Sequence, residues 1–162
     1  MARDCVQKAK AAGEVLAAME QKQLDRLVGA IAKTGRDHAR ELAQLAVEET
    51  GFGVVEHKVI KNLFAANRLY EAIRDQKVVG LLGKNDREKT WDFGVPVGVV
   101  AALVPSTNPT STVLYKAMIS LKAGNPVVFS PHPGALKCIT RTVNLVRDAI
   151  ERAGAPVDAV TA

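Results

Sequence analysis

The sequence is poor in aromatic residues, which make up 4% of its 162 positions. No basic stretch interleaves with them, so the stacking platforms that hold single-stranded nucleic acid are missing and nucleic-acid binding is excluded. Cysteine is scarce too: Cys5 and Cys138 stand far apart, outside any CxxC or Cys/His cluster. Neither a metal site nor an oxidising compartment is therefore indicated. No apolar run is long enough to cross a bilayer, and the amino terminus lacks the basic-then-apolar layout of a signal peptide. The expectation is a cytoplasmic protein with no membrane partner. The dinucleotide fingerprint GxGxxG is also absent, which argues against an ordinary Rossmann pyrophosphate site.

What is present suits one soluble domain of ordinary size. Apolar residues make up 48% and charged residues 24%, enough for a core. The 22 Lys and Arg outnumber the 17 Asp and Glu, for a net charge of +5. They are dispersed among acids, which describes a solvated surface better than an anion-binding one.

Hydrophobic periodicity organises the first half. Over residues 6–33, Val6, Val15, Leu16, Met19, Leu24, Leu27, Val28 and Ile31 recur at helical spacing, giving one long or two consecutive amphipathic helices with Gly13 as the weak point. A helix over 37–50, with Leu42, Leu45 and Ala46 on one face, should end at Gly51 in a left-handed cap. A third, over 54–75, carries Val55, Val59, Leu63, Ala66, Tyr70 and Ile73 as its buried stripe.

The character changes at Lys77. Val78, Val79, Leu81 and Leu82 form a short apolar run, 83–86 supplies turn chemistry, and 90–95 can pair back, which describes an exposed β-arm. Residues 97–104 are continuously apolar and suit a strand buried on both faces. A helix over 111–123 follows, capped by Thr110 or Ser111 and closed by Gly124. Then come a short strand at 127–129, a polar loop over 130–134, a helix over 135–153 and the start of a third strand at 157–160. This alternation predicts an α/β fold with a parallel sheet and right-handed crossovers, the first βαβα portion of a doubly wound Rossmann-like domain. The expected divisions are amino-terminal helices over 1–76, the β-arm over 77–95 and the first half of a dinucleotide-binding domain over 96–162. Half a sheet leaves an open edge, so a larger protein is expected.

Ligands of open α/β sheets bind beyond the carboxyl ends of the strands, which singles out the loops at 105–110 and 130–134. In the first, Asn108 sits between a buried strand and a helix start. Its amide can donate to a developing oxyanion, or Asn108 and Thr110 can serve as ordinary turn and cap residues. In the second, Ser130 and His132 can meet a ribose or phosphate, or His132 can be a surface residue. Cys138, Cys5, His38 and His57 suggest no catalytic couple.

The runs GVVAALVPSTNPTST at 98–112 and SLKAGNPVVFSPHPGA at 120–135 closely resemble the CoA-acylating aldehyde dehydrogenases, a resemblance extended by ETGFG at 49–53 and VEHKVIKN at 55–62. The resemblance implies an oxidoreductase that converts aldehyde, coenzyme A and NAD to acyl-CoA and NADH through a Cys thioester. It implies that Val104, Pro105, Ser106, Thr107 and Asn108 line the nicotinamide side of the cofactor. Asn108 or Thr107 would help hold the oxyanion, since an ungapped overlay on the wider superfamily puts Thr107 under its Asn. Ser130, Pro131, His132 and Pro133 would meet the adenosine ribose; a Lys and a Glu usual in that loop are replaced here by Ser130 and Pro133, which leaves NAD and NADP both open. The nucleophilic Cys of the family is expected beyond Ala162, so the chain alone should be inactive. The arm at 77–95 resembles the family's oligomerisation strands and implies a homo-oligomer. No linker marks a microcompartment-targeting helix. The alternative is a non-catalytic interaction or nucleotide-binding module derived from the same family.

Overall fold

The computed structural model describes residues 2–162. The first helical stretch is two helices, α1 (Ala2–Ala17) and α2 (Gln21–Asp37). The break falls at 18–20 rather than at Gly13. There the amides of Ala18 and Met19 turn back to Val15 and Leu16, and the Glu20 N–H donates to Gln23 Oε1 at 2.9 Å to start α2. Gly13 stays inside α1, where a Cβ would stand 3.1 Å from Pro126 Cγ. Its role is close approach, not interruption. The stripe is also narrower than expected, because Val6 and Val15 are exposed while Leu16, Leu24, Leu27 and Ile31 are fully buried. Each of the latter contributes about 2 kcal/mol relative to exposure.

Helix α3 (Ala39–Thr50) ends, as expected, at Gly51 with φ 67°. Helix α4 (Val55–Leu63) continues through a π-helical turn, Phe64–Leu69, into the short α5 (Tyr70–Ile73). The widened turn frees a carbonyl, and Arg36 Nη1 donates to Ala66 O at 3.2 Å. The expected stripe of this segment is only half-buried apart from Ala66; the buried positions are Lys58, Asn62, Ala65 and Ala66. Polar side chains thus face inward here.

The β-arm is an antiparallel pair, β1 (Gly80–Asn85) and β2 (Thr90–Gly94), with a register shift between Leu81 and Gly83. The turn comes later than 83–86, because Gly83 to Asn85 still pair with β2. Gln21 secures the base of the arm: its Oε1 accepts from the amides of Val78 and Val79 at 2.8 and 3.1 Å. Beside it Lys122, buried, pairs with Asp25 at 2.6 Å and donates to Arg74 O at 2.8 Å.

The remaining strands, β3 (Val100–Val104), β4 (Val127–Pro131) and β5 (Val160–Thr161), form a parallel sheet in the order β3-β4-β5. Helices α6 (Pro109–Lys122) and α7 (Leu136–Arg152) make the crossovers. Asn125 sets the start of the sheet, its Oδ1 accepting from the amides of Val97 and Gly98 at 2.7 and 3.1 Å. Strand β3 is not buried on both faces: Ala102 and Val104 face the core, whereas Leu103 is 72% exposed and Ala101 is exposed as well. The strand lies at the sheet edge, and only one of its faces is covered. Ser130 and Pro131 belong to β4 rather than to a loop, and Val157–Ala159 is a 3-10 turn ahead of the two-residue β5. Helix α6 begins earlier than expected, with Asn108 at its cap position and Pro109 in its first turn. The main core joins α2, α6 and α7 to the covered face of the sheet.

Candidate functional site

The register of β3 and β4 pairs Leu103 with Ser130 and Val104 with Pro131. Both singled-out segments therefore emerge side by side at the carboxyl edge of the sheet, where open α/β folds bind their ligands. They are also bonded together, since the His132 N–H donates to Val104 O at 3.1 Å. The side chain of Val104 faces the core at 3% exposure. It anchors the segment, while Pro105 and Thr107 are exposed and Ser106 and Asn108 half-buried.

In the second segment Ser130, His132 and Pro133 are exposed and Pro131 is half-buried. His132 Nδ1 accepts from the Gly134 N–H at 3.0 Å and caps the 3-10 turn Pro133–Ala135. That bond places the ring proton on Nε2, which is left free to donate outward. Next to this turn is a groove lined by Glu48, Glu49, Pro133, Gly134 and Lys137. Glu49, from α3, accepts from the amides of Lys137 and Cys138 at 2.8 and 2.7 Å and so caps α7 from another helix. Burial opposes its charge, but those two amides prevail and hold its carboxyl below the ordinary range. The same neighbourhood silences Cys138. Burial first, and Glu49 second, push its thiol up to about 12.

The first segment is held from α4 by side chains whose role periodicity did not reveal. Lys58 Nζ donates to Thr107 O at 3.0 Å, and Lys61 Nζ donates to Asn108 Oδ1 at 2.8 Å. Asn62, 1% exposed, accepts from Thr110 Oγ1 at 2.8 Å and donates to Ala39 O at 3.0 Å. Thr110 is thus spent on Asn62 and does not cap α6. Three residues of one helical turn grip the loop at Thr107 and Asn108 and the first turn of α6 at Thr110, 49, 47 and 48 residues away in sequence. Neither lysine has an acidic partner among the described residues. Burial, and then the neighbouring charge of Lys61, lower the pKa of Lys58. The signal that could have found them is the polar spacing of three and four at Lys58, Lys61 and Asn62 on a face that apolar residues would otherwise fill.

Asn108 also faces an open, mostly apolar groove between α4 and α6, lined by Ile60, Lys61, Phe64, Pro105 and Tyr115. His57 is exposed on α4, and His38 sits 2.6 Å from Glu41 near the start of α3; neither reaches these segments.

The sequence model of the aldehyde dehydrogenase family matches residues 1–162. The bifunctional aldehyde-alcohol dehydrogenase AdhE of Escherichia coli strain K12 is 41% identical over 155 residues, which are 96% of this chain and 17% of that protein. A crystal structure of an acetylating aldehyde dehydrogenase from Geobacillus thermoglucosidasius superposes with a TM-score of 0.96 at 48% identity, covering 98% of this chain and 35% of that one. A propionaldehyde dehydrogenase of Rhodopseudomonas palustris, solved with bound propionyl-CoA, gives a TM-score of 0.79 at 32% identity over 98% of this chain and 35% of its own. The chain thus spans about a sixth of the first relative and about a third of the solved enzymes. With a match along its whole length and paired polar segments at the carboxyl edge of a parallel sheet, the chain belongs to the aldehyde dehydrogenase family.

Proposed function

We propose that this chain is the cofactor-side part of an NAD-dependent, CoA-acylating aldehyde dehydrogenase, acting on a small aldehyde. The observation that carries the reading is the junction of the two segments, with the His132 N–H on Val104 O at 3.1 Å. It brings the loop of Asn108 and the polar turn of His132 to one edge of the sheet, in a chain similar to acetylating enzymes. NAD would supply the hydride acceptor and coenzyme A the thiol that carries off the acyl group.

The residues of the chain fit those groups. Pro105, Ser106, Thr107 and Asn108 form the nicotinamide side, where the Asn108 amide donates to the carbonyl oxygen as it gains charge, with Thr107 beside it. Exposed Ser130 and His132, with Pro131 and Pro133 stiffening the backbone, offer hydroxyl and Nε2–H to the adenosine ribose. Ser130 and Pro133 add no charge there, and NADP is the alternative cofactor. Cys138 does not supply a nucleophile, because it is fully buried and its thiol is pushed up to about 12. The groove of Ile60, Phe64 and Tyr115 is the approach for the aldehyde. The exposed arm, with Trp91 and Phe93 on its surface, pairs with a second copy of the protein. No described helix is long and apolar enough to cross a membrane, and the proposed setting is the cytoplasm.

The test is the intact mass of the undigested gene product, measured with NADH formation from acetaldehyde, CoA and NAD. A mass well above 17.3 kDa with activity is expected. A mass equal to that of the chain, with no activity and no NAD binding, would overturn the reading in favour of a non-catalytic module.

A further inference from the structure

A lysine ammonium has three donors and no acceptor. The atom of the Asn108 amide that faces Lys61 Nζ at 2.8 Å is therefore oxygen, and the orientation of the amide is decided by chemistry. Its nitrogen, Nδ2, points away from Lys61, with only a long contact of 3.5 Å to Thr107 Oγ1. That leaves Nδ2 with hydrogens to give to something else. Asn108 lines the apolar groove between α4 and α6, and so does Lys61. The backbone under the amide is held as well, by Lys58 Nζ on Thr107 O at 3.0 Å. Without these grips a half-buried asparagine at the mouth of an open groove could turn over its amide and offer a carbonyl oxygen in place of an N–H. A carbonyl oxygen there would repel a developing oxyanion.

We propose that Lys61 is a positioning residue for Asn108: by holding Oδ1 it makes Nδ2 the atom presented to a substrate oxygen in the groove. This rests on the reading of Asn108 as an oxyanion donor. Nothing competes for Lys61, since no carboxylate pairs with it among the described residues. Its ammonium also polarises the amide toward stronger donation, as a charge-assisted bond does. The grip persists through the reaction and involves no proton transfer, so its effect belongs to the turnover step and not to cofactor binding.

The test is a double-mutant cycle in the full gene product, using Lys61→Met, Asn108→Ala and the pair, with acetaldehyde, CoA and NAD. Loss of one oxyanion donor lowers kcat by roughly 100- to 1,000-fold, and Lys61→Met is expected to forfeit a large part of that factor with the KM for NAD unchanged. The double variant should be no slower than Asn108→Ala alone, and Lys61→Arg, which still donates, should recover most of the loss. Because Lys61 is exposed, the melting temperature should hold in both variants. Additive losses, an unchanged kcat in Lys61→Met, or a rise in KM for NAD without a fall in kcat would each overturn the assignment. A wild-type product without activity would instead overturn the functional reading beneath it.

Discussion

Asn62 Oδ1 accepts the hydroxyl of Thr110 at 2.8 Å, a buried bond between α4 and the first turn of α6. Asn62 Nδ2 donates in turn to Ala39 O at 3.0 Å, so one side chain ties three elements together. Asn62→Ala would leave the Thr110 hydroxyl without its acceptor in the core and take from the Ala39 carbonyl, already bonded within α3, its second donor. With one group orphaned, the expected loss is about 1 to 3 kcal/mol, read from urea unfolding. A loss below half of the lower figure would mean that water reaches the site.

Lys58 should behave in the opposite way. It is 5% exposed and has no acidic partner among the described residues, and burial, followed by the charge of Lys61, lowers its pKa below the ordinary 10.5. A lysine whose folded pKa is depressed carries its destabilisation below that pKa and sheds it as pH rises toward the unfolded value. Lys58→Met should then keep or raise stability near neutral pH, by up to about 1 kcal/mol, while loosening the Thr107 carbonyl. Thermal melts should show the gain shrinking at alkaline pH, and a clear loss of stability would contradict the account.

For Glu49 the sign reverses. Burial opposes its charge, yet the amides of Cys138 and Lys137 lower its pKa from the ordinary 4.5. The stabilisation is present above the unfolded value and is lost as pH falls through the folded one. Glu49→Gln should cost about 1 kcal/mol at neutral pH, as other helix caps do. The gap between wild type and variant should close in acid; a gap independent of pH would assign the effect to packing.

Cys138 should resist alkylation. With no exposed surface and a thiol pushed up to about 12, it should stay unmodified by iodoacetamide at neutral pH in the folded chain, whereas the partly exposed Cys5 reacts. Peptide mapping should find Cys5 alone of this pair modified when native and both modified in denaturant. Modification of Cys138 in the native protein would mean that the α3–α7 contact opens readily.

The single tryptophan, Trp91, is 58% exposed on β2 under the ammonium of Lys84, 4.1 Å from its ring. If the arm pairs with another copy, tryptophan emission should shift to the blue as concentration rises, in step with the mass by sedimentation. A higher mass with unchanged emission would move the contact elsewhere.

Much of this was legible along the chain, because it depends on neighbours a few residues apart. Helical periodicity located α2, α3 and α7, the left-handed conformation of Gly51 followed from its place after a periodic run, and the alternation after Pro96 predicted that β3, β4 and β5 form a parallel sheet. The two polar segments could be chosen for the same reason, since strand ends define where such a sheet binds. Periodicity misjudged whatever depends on which surface an element meets. It placed an apolar stripe on the segment after Val54, where only Ala66 of that stripe is buried and Lys58 and Asn62 turn inward, and it buried both faces of β3, where Leu103 is exposed.

The sequence by itself determined the family, the order of elements and the chemistry available at the strand ends. The tertiary structure alone decided what those groups can do. Lys61 meets Asn108 across 47 residues, Glu49 caps α7 across 88 and 89, and Thr110 gives up its cap for Asn62 across 48. Hydrogen-bond partners so distant in sequence leave no periodic trace, because they are selected by how whole helices pack and not by the spacing within any one of them.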